Sequence, residues 1–321
     1  MRVLRRLRLP AAVVVVVAAA LAAAPASGFA EPGGGAVARN SHRSVHVVAA
    51  GDIACDPNAG AFHDGEGTGN YCRQMATSDL WVNDPTVEAA FALGDLQYED
   101  GALWKFNRSY DPSWGRGFGV TYPAPGNHEY QIAGAAGYFA YFGARTFGST
   151  GWYSADIGRW HVISLNSTCP PVNCSGSSPQ LTWLRDDLRA NDARCTLAFF
   201  HHPIVASVGP FGDPVEPQVR PFMRALYEAG ADVVLNGHQH TYERFARADW
   251  EQNKDAAGIR QFIAGTGGSG LHRQDMTIAP NSQVRRLALG VLHLELRTKR
   301  YVWWFENLSG QSLDEGATTC R

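Results

Sequence analysis

One pattern constrains the fold more than any other feature of this sequence: short apolar runs that end in Gly or Pro and continue into polar residues. Such runs occupy Val45–Ala50, Val87–Leu93 and residues 120–124, 196–200, 233–235 and 262–264. Short apolar runs of this kind are typical of strands that are buried on both faces of a sheet. We therefore expect a sheet whose buried strands end in polar loops.

Two helical patterns lie between these runs. Ser178 can cap a helix that begins at Pro179, and three leucines then fall on one face of that helix. A second helix is expected to begin at Pro221 and to be closed by Gly230. Strands that alternate with helices predict an α/β domain with a largely parallel sheet.

From residue 287 onward, apolar and polar residues alternate. The alternation covers residues 287–296 and 299–306 and includes several aromatic residues, which indicates antiparallel strands. No internal repeat and no linker divides residues 44–321, and this length is sufficient for one large core. We therefore predict a single domain over residues 44–321.

The N-terminal segment, residues 1–30, has the composition of an export signal. Its first eight residues include four Arg, residues 11–24 are uniformly small and apolar, and Ser27, Gly28 and Ala30 provide a cleavage site. The apolar run of 14 residues is shorter than the about 20 that span a bilayer. We expect a secreted protein, with a membrane anchor as the alternative. Residues 31–43, rich in Gly and Ala, are expected to form a flexible lead-in.

The net charge argues against two classes of partner. The full chain has a formal net charge of −2, and loss of residues 1–30 removes four Arg and no acidic residue, which changes it to −6. A mildly acidic chain without a block of Lys or Arg is not expected to bind nucleic acid or an anionic membrane as its main partner.

The six cysteines predict disulfide bonds, because an even number in an exported chain is typical of a disulfide framework. Six cysteines allow 15 different pairings. Simple order along the chain suggests Cys55–Cys72, Cys169–Cys174 and Cys195–Cys320.

The polar residues that follow the apolar runs are rich in carboxylates and imidazoles. They are Asp52, Asp95, Asn127, His128, His201, His202, His238 and His240. In open α/β sheets, ligands bind beyond the carboxyl ends of the strands. Carboxylates and imidazoles together suit one or two first-row transition metals. Tyr98 could add a phenolate, which ionises at neutral pH only beside a strong Lewis acid such as Fe(III).

Each motif also has a structural interpretation when it is taken alone. A Gly-Asp pair after a strand is usually a turn, and Glu129 could be a solvated side chain in another turn. Coincidence at five strand ends nevertheless favours one shared site. His46 and His161 lie within apparent strands and are expected to be structural, while the Gly-rich residues 265–270 suggest a tight turn near the site. No Gly-x-Ser-x-Gly motif supports a serine nucleophile.

As an ordered set, these motifs resemble those of the calcineurin-like metallophosphoesterases. The matching motifs are Gly51-Asp52, Gly94-Asp95-x-x-Tyr98, Gly126-Asn127-His128-Glu129, His201-x-Pro203 and Gly237-His238-x-His240. Tyr98 and the continuation Thr241-Tyr242-Glu243-Arg244 are similar to the purple acid phosphatase branch. The resemblance covers residues 45–270 and implies a four-layer αββα sandwich with two metals at the carboxyl ends of the strands.

The resemblance also implies a role for each site residue. Asp95 would bridge the two metals. Asp52, Tyr98 and His240 would complete an Fe(III) site, and Asn127, His201 and His238 would complete a site for Zn, Mn or Fe(II). His128 would contact the phosphate or the leaving group, and His202 is a further candidate for that role. The first motif lacks the His that many other family members place two residues after the Asp, which favours a tyrosine-ligated iron site.

The expected function is that of a secreted metallophosphatase that hydrolyses small-molecule phosphate monoesters. A metal-bound hydroxide would attack phosphorus in line. A phosphodiesterase on the same metals is the alternative, because the motifs define the metals and leave the substrate pocket open. A secreted binding protein that has kept the fold is a further alternative, although the complete set of seven candidate ligands argues against it.

Overall fold

Two mixed β-sheets form the frame of the protein. The computed structural model describes residues 44–207, 216–271 and 277–321. The predicted export signal and lead-in, residues 1–43, lie outside the described residues. Asn40–Arg321 forms one compact unit, and none of the described helices is long and apolar enough to cross a membrane.

The described residues form thirteen strands and five α-helices. The strands are β1 Val45–Ala50, β2 Val87–Leu93, β3 Thr121–Ala124, β4 Tyr153–Ile157, β5 Trp160–Ser164, β6 Cys195–Phe199, β7 Val233–Asn236, β8 Tyr242–Phe245, β9 Arg260–Ala264, β10 Ser282–Arg286, β11 Gly290–Arg297, β12 Arg300–Asn307 and β13 Ser312–Thr319. The helices are α1 Gln74–Asp79, α2 Leu103–Lys105, α3 Ala136–Phe142, α4 Pro179–Ala190 and α5 Arg220–Glu228.

Each sheet combines parallel and antiparallel strands: the parallel strands form one side of the six-stranded sheet and the centre of the seven-stranded sheet. The six-stranded sheet has the order β13-β12-β11-β1-β2-β3, with β1, β2 and β3 parallel. The seven-stranded sheet has the order β10-β8-β9-β7-β6-β5-β4, with β5, β6, β7 and β9 parallel. The carboxyl ends of neighbouring parallel strands therefore lie side by side at one edge of each sheet.

Three apolar clusters define four layers. One lies between the sheets, where the rings of Phe91 and Phe199 stack with centroids 5.0 Å apart. A second packs α4 and α5, through Leu184 and Leu226, against the seven-stranded sheet. The third packs α3, through Phe142, against the six-stranded sheet. This is the predicted αββα sandwich.

The sequence patterns located the central strands with small errors at their ends. The strand predicted at residues 196–200 is β6, displaced by one residue, and the run at 262–264 is the end of the longer β9. Helix α4 begins at Pro179 as predicted, with the Ser178 hydroxyl accepting a bond from the Leu181 N–H at 3.2 Å. The antiparallel strands predicted near the C-terminus are confirmed as β11 and β12.

All three predicted disulfides are confirmed. Cys55–Cys72 closes a loop of 17 residues beside the carboxyl end of β1, and Cys169–Cys174 closes a loop of 5. Cys195–Cys320 joins positions 125 residues apart and fixes the C-terminus to β6.

The motif that continues from His240 ties the two sheets together. Tyr242 and Arg244 on β8 both donate to the Asp314 carboxylate on β13, each at 2.7 Å. Glu243 points the other way and is buried, and its carboxylate accepts from the Ser207 N–H at 2.9 Å. This part of the motif therefore has a structural role in the sandwich.

A pair of histidines, with His293 buried and His46 partly buried, lies on the neighbouring strands β1 and β11. Nε2 of His46 is 3.1 Å from Nδ1 of His293, and the ring of Trp304 stacks on His293. The carboxylates of Asp84 and Glu306 face the pair, at 4.0 Å from His46 and 3.3 Å from His293. Burial lowers the pKa of both imidazoles, and lowers that of His293 to about 3.

Because of this histidine pair, we expect the free energy of unfolding to decrease in acid. The unfolded chain protonates His293 below an ordinary pKa of 6.5, whereas the folded protein does so only near pH 3. The stability contribution is therefore complete above pH 6.5 and is lost as the pH falls toward 3. We expect His293→Gln to reduce the acid-induced loss of unfolding free energy, measured in urea between about pH 7 and 4.5, by roughly 2 to 3 kcal/mol. The exposed His63→Gln variant should behave like wild type, and identical pH profiles for all three proteins would contradict the prediction.

Candidate metal centre

The predicted site residues meet where the two sheets bring their strand ends together. They follow β1 (Asp52), β2 (Asp95 and Tyr98), β3 (Asn127 and His128), β6 (His201 and His202) and β7 (His238 and His240). Ligands bind at such edges because the parallel strands point their carboxyl ends at the same space. All nine candidate residues lie in one connected network of contacts.

The first group of donor atoms surrounds the Tyr98 hydroxyl. It lies 2.9 Å from Oδ1 of Asp52, 2.9 Å from Nε2 of His240 and 3.3 Å from Oδ2 of Asp95. Nε2 of His240 is also 3.2 Å from Oδ1 of Asp52. Two carboxylates, one imidazole and one phenol thus direct their oxygen and nitrogen atoms at a common point.

The second group surrounds Nε2 of His201. This atom lies 3.0 Å from Oδ2 of Asp95, 3.1 Å from Oδ1 of Asn127 and 3.2 Å from Nδ1 of His238. Oδ2 of Asp95 therefore belongs to both groups. Oxygen and nitrogen donors of this composition fit first-row transition metals beside each group.

Backbone groups hold the inner donor atoms in place. The N–H of His238 donates to Oδ2 of Asp52, and the N–H of His128 donates to Oδ1 of Asp95, each at 2.8 Å. The Leu93 carbonyl lies 3.0 Å from Nδ1 of His201 and accepts its proton. One oxygen of each carboxylate and Nε2 of His201 are thereby left to face the centre, as outer hydrogen bonds do around metal ligands.

The electrostatics of the site favour positive charge. Burial opposes ionisation of Asp95, but the neighbouring His201 keeps the pKa of Asp95 below its ordinary value. Burial would lower the pKa of His201, and the Asp95 carboxylate instead raises it to about 9. Burial and the carboxylates of Asp52 and Asp95 raise the pKa of Tyr98 well above 10.0. Only a cation close to the hydroxyl would make a phenolate stable here.

Three of the candidate ligands adopt left-handed backbone conformations. The φ angles are 58° at Asp52, 50° at Asp95 and 69° at His238. For residues other than Gly this conformation costs on the order of 1 kcal/mol, and it persists where surrounding hydrogen bonds impose it. Strain of this kind is concentrated at functional sites, and here it turns three side chains toward one point.

Comparison with known proteins agrees with this geometry. The model of the calcineurin-like phosphoesterase family matches residues 45–242. The chain belongs to the calcineurin-like phosphoesterase family. Among curated relatives, purple acid phosphatase 22 of Arabidopsis thaliana is 28% identical over 72% of this chain. Purple acid phosphatase 1 of Ipomoea batatas is 25% identical over 72% of it.

Solved structures show the same fold. Purple acid phosphatase PPD1 from yellow lupin superposes with a TM-score of 0.68 at 18% identity, covering 86% of this chain and 54% of that protein. PhoD superposes with a TM-score of 0.59 at 12% identity, covering 86% of this chain and 68% of PhoD. The chain spans a little over half the length of the two plant relatives named above, at 57% and 56%. These comparisons confirm the purple acid phosphatase-like branch and the fold.

The structure of this family member reveals one site residue that the sequence analysis missed. Glu129 is fully buried, and its carboxylate accepts from the N–H groups of Gly126 at 2.7 Å, Asp95 at 3.0 Å and Leu96 at 2.9 Å. Burial and the nearby Asp95 raise the pKa of Glu129 to about 7, while the Gly126 and Gln97 N–H groups oppose that rise. Glu129 therefore joins the loops after β2 and β3.

Two glycines show how closely these loops approach one another. Gly94 has a φ of 85°, and a Cβ at this position would lie 2.6 Å from Nδ1 of His201. A Cβ at Gly237 would lie 2.7 Å from Oδ2 of Asp52. Glycines that directly precede ligand residues were thus a signal in the sequence for close packing around a centre.

His128 and His202 occupy different surroundings. The His128 ring lies 4.1 Å from the Tyr98 ring and lines the open pocket, and its Nδ1 contacts the Glu99 carbonyl. His202 is buried, with Nδ1 at 3.0 Å from the Ser167 hydroxyl and its ring 4.5 Å from that of His238.

A pocket with a volume of about 390 Å³ opens above the metal centre. Its inner wall consists of Asp95, Tyr98, Asn127, His128, His238 and His240. Its outer wall includes Cys55, Asp56, Ala59, Tyr71 and residues 269–271. The pocket therefore connects the candidate ligands with solvent.

Replacing Glu129 is expected to weaken both the folded state and metal binding. In Glu129→Gln, an amide NH₂ would face backbone N–H groups that now donate to a carboxylate. We expect the unfolding free energy to fall by about 2 kcal/mol, and metal affinity to fall about tenfold because the Asp95 loop loses its support. Glu99→Gln, at an exposed carboxylate of the same loop, is the control and should unfold like wild type. Unchanged stability and metal content in Glu129→Gln would contradict the prediction.

Proposed function

We propose that this protein hydrolyses phosphate monoesters with two bound metal ions. The observation that carries the proposal is the arrangement of two donor groups, around Tyr98 and His201, that share Oδ2 of Asp95. The open pocket of about 390 Å³ beside these groups supports access for a small phosphoester.

The ligand assignment is part of the proposal. Asp52, Asp95, Tyr98 and His240 would hold Fe(III), and Asp95, Asn127, His201 and His238 would hold Zn, Mn or Fe(II). Bound cations of this kind neutralise phosphoryl oxygens and lower the pKa of water. Tyr98 supports iron in the first position, because its buried hydroxyl needs a strongly acidic cation in order to ionise.

The protein's own side chains would position and protonate the ester. His128 lines the pocket, and the contact of its Nδ1 with the Glu99 carbonyl fixes the orientation of its ring. When protonated, its Nε2 would give a proton to the leaving-group oxygen as its bond to phosphorus breaks, so that the product leaves as a neutral alcohol. His202 is the second candidate for contact with the phosphate and lies against His238.

We also propose that the mature protein is secreted. Three disulfides among the described residues support an oxidising compartment. The basic and apolar composition of residues 1–30 supports an export signal.

Two alternatives differ in chemistry. A phosphodiesterase would use the same metals, because the ligands leave the shape of the ester undetermined. A non-catalytic role is the other: a Plasmodium protein described as an anchor, GAP50, shares the fold with a TM-score of 0.64 at 12% identity. The convergence of seven candidate ligands on two adjoining points favours catalysis in the present chain.

The substrate proposal predicts a preference among nitrophenyl esters. We expect metal-replete protein to hydrolyse 4-nitrophenyl phosphate with a kcat/KM at least about tenfold above that for bis(4-nitrophenyl) phosphate, which is a difference of about 1.4 kcal/mol in transition-state stabilisation. A preference for the diester would support the phosphodiesterase instead. No turnover of either ester by protein with two bound metals would support the non-catalytic role.

The metal proposal predicts a visible absorption band from a tyrosinate bound to Fe(III). Tyr98→Phe should abolish the band and should retain the metal held by the His201 group. Tyr71→Phe, at another tyrosine that lines the pocket, is the matched control and should keep the band. An active, colourless wild-type protein that contains only Zn or Mn would contradict the assignment of Tyr98.

A further inference from the structure

The outer wall of the pocket carries an exposed aromatic ring. Tyr71 is 58% exposed and lines the same pocket as the candidate metal ligands. Ala59 and Leu271 lie on the same outer wall. A large exposed ring in the mouth of a pocket costs hydration free energy, and a ligand that covers it would recover part of that cost.

The backbone that carries this ring is held in place. Tyr71 pairs with Thr68 through two backbone hydrogen bonds of 3.0 and 3.1 Å, and the adjoining Cys72 is bonded to Cys55. The next residue, Arg73, donates to the Gly268 carbonyl at 2.8 Å. A ring on a backbone that is fixed in this way loses little conformational entropy when it packs on a ligand.

The Gly-rich loop supports the ring and also reaches the metal centre. A Cβ at Gly270 would lie 2.9 Å from Cδ1 of Tyr71, so the Tyr71 ring lies directly on the Gly270 backbone. One residue earlier, the Ser269 hydroxyl is 3.5 Å from Nδ1 of His240. The ring and the candidate iron ligand thus contact neighbouring residues of one loop.

The charge at this side of the pocket is negative. Asp56 lines the pocket and shares the Lys105 ammonium with Asp100, at 2.7 and 2.9 Å, so one cation serves two carboxylates. Glu99 lines the rim with 72% of its side chain exposed. No Lys or Arg lines the pocket among residues 44–207, 216–271 and 277–321. A second phosphate on the substrate would find no cationic partner on the described wall.

We propose that Tyr71 determines specificity by stacking on the leaving group, so that the pocket selects phosphate esters of flat, uncharged, aromatic alcohols. The inference rests on the proposed function for its chemistry, because the phosphate must bind at the metal centre. It assigns the outer wall to the alcohol and the inner wall to the phosphate. Esters with a second phosphate or a carboxylate are disfavoured at the same wall.

Binding of two non-hydrolysable phosphonates tests this proposal. Metal-replete full-length protein is titrated with phenylphosphonate and with methylphosphonate in a calorimeter. We expect wild type to bind the phenyl compound about tenfold more tightly, which corresponds to about 1.4 kcal/mol. In Tyr71→Ala the preference should fall below about threefold, and in Tyr71→Phe, which keeps the ring, it should persist.

Trp104→Ala supplies the matched control, because Trp104 is similarly exposed, at 52%, and does not line the pocket. It should keep the full preference for phenylphosphonate. Equal binding of the two phosphonates by wild type, or an unchanged preference in Tyr71→Ala, overturns the proposal.

Hydrolysis of phenyl phosphate by the same preparations separates this inference from the proposed function. Wild type that prefers phenylphosphonate through Tyr71 and leaves phenyl phosphate intact supports the aromatic wall and contradicts the phosphatase. Wild type that hydrolyses phenyl phosphate and shows no dependence on Tyr71 supports the phosphatase and overturns the aromatic wall.

Discussion

Two buried carboxylates at the meeting edge of the sheets are the constraint on which the rest of the site depends. Asp52 is fully buried and Asp95 is 2% exposed. Burying charge is unfavourable unless hydrogen bonds and opposite charges compensate for it. Backbone N–H groups satisfy one oxygen of each carboxylate, and His201, His240 and the Tyr98 hydroxyl face the other. The second oxygen of each carboxylate keeps its negative charge and faces other potential metal ligands. This arrangement favours the binding of a cation.

The sandwich fold is what permits this concentration of charge. Parallel β1 and β2 deliver Asp52 and Asp95 side by side, while β6 and β7 deliver the histidines from the facing sheet. The glycines that directly follow β1, β2 and β7 allow the loops to turn at once, with left-handed φ angles at Asp52, Asp95 and His238. These left-handed conformations persist because backbone N–H groups of the loops donate hydrogen bonds to the carboxylates of Glu129 and of the candidate ligands.

The central strands and the candidate metal ligands could be predicted well from the sequence, because each strand is a short apolar run and the ligands follow it within a few residues. Runs such as Val45–Ala50 are followed directly by the residues that reach the centre. Glu129 was missed because its burial results from contacts with Leu96 and Gln97 far earlier in the chain, and no local pattern distinguishes it from a solvated turn residue. The short strands β4 and β8 were missed for a similar reason. They form because they pair with neighbouring strands, and their own residues show no distinctive strand pattern.

The two walls of the pocket are built from different parts of the fold. Residues expected to bind the metals therefore lie on different elements from residues expected to select the substrate. The inner wall is built from strand ends, whose positions follow from the sheets and their cores. The outer wall is built from the loop closed by Cys55–Cys72 and from the Gly-rich loop that supports Tyr71. A change at Tyr71 alters no sheet contact and no candidate metal ligand, whereas a change at Asp95 would remove the atom that joins both donor groups. The fold can therefore keep one metal centre while its loops vary the ester that reaches it.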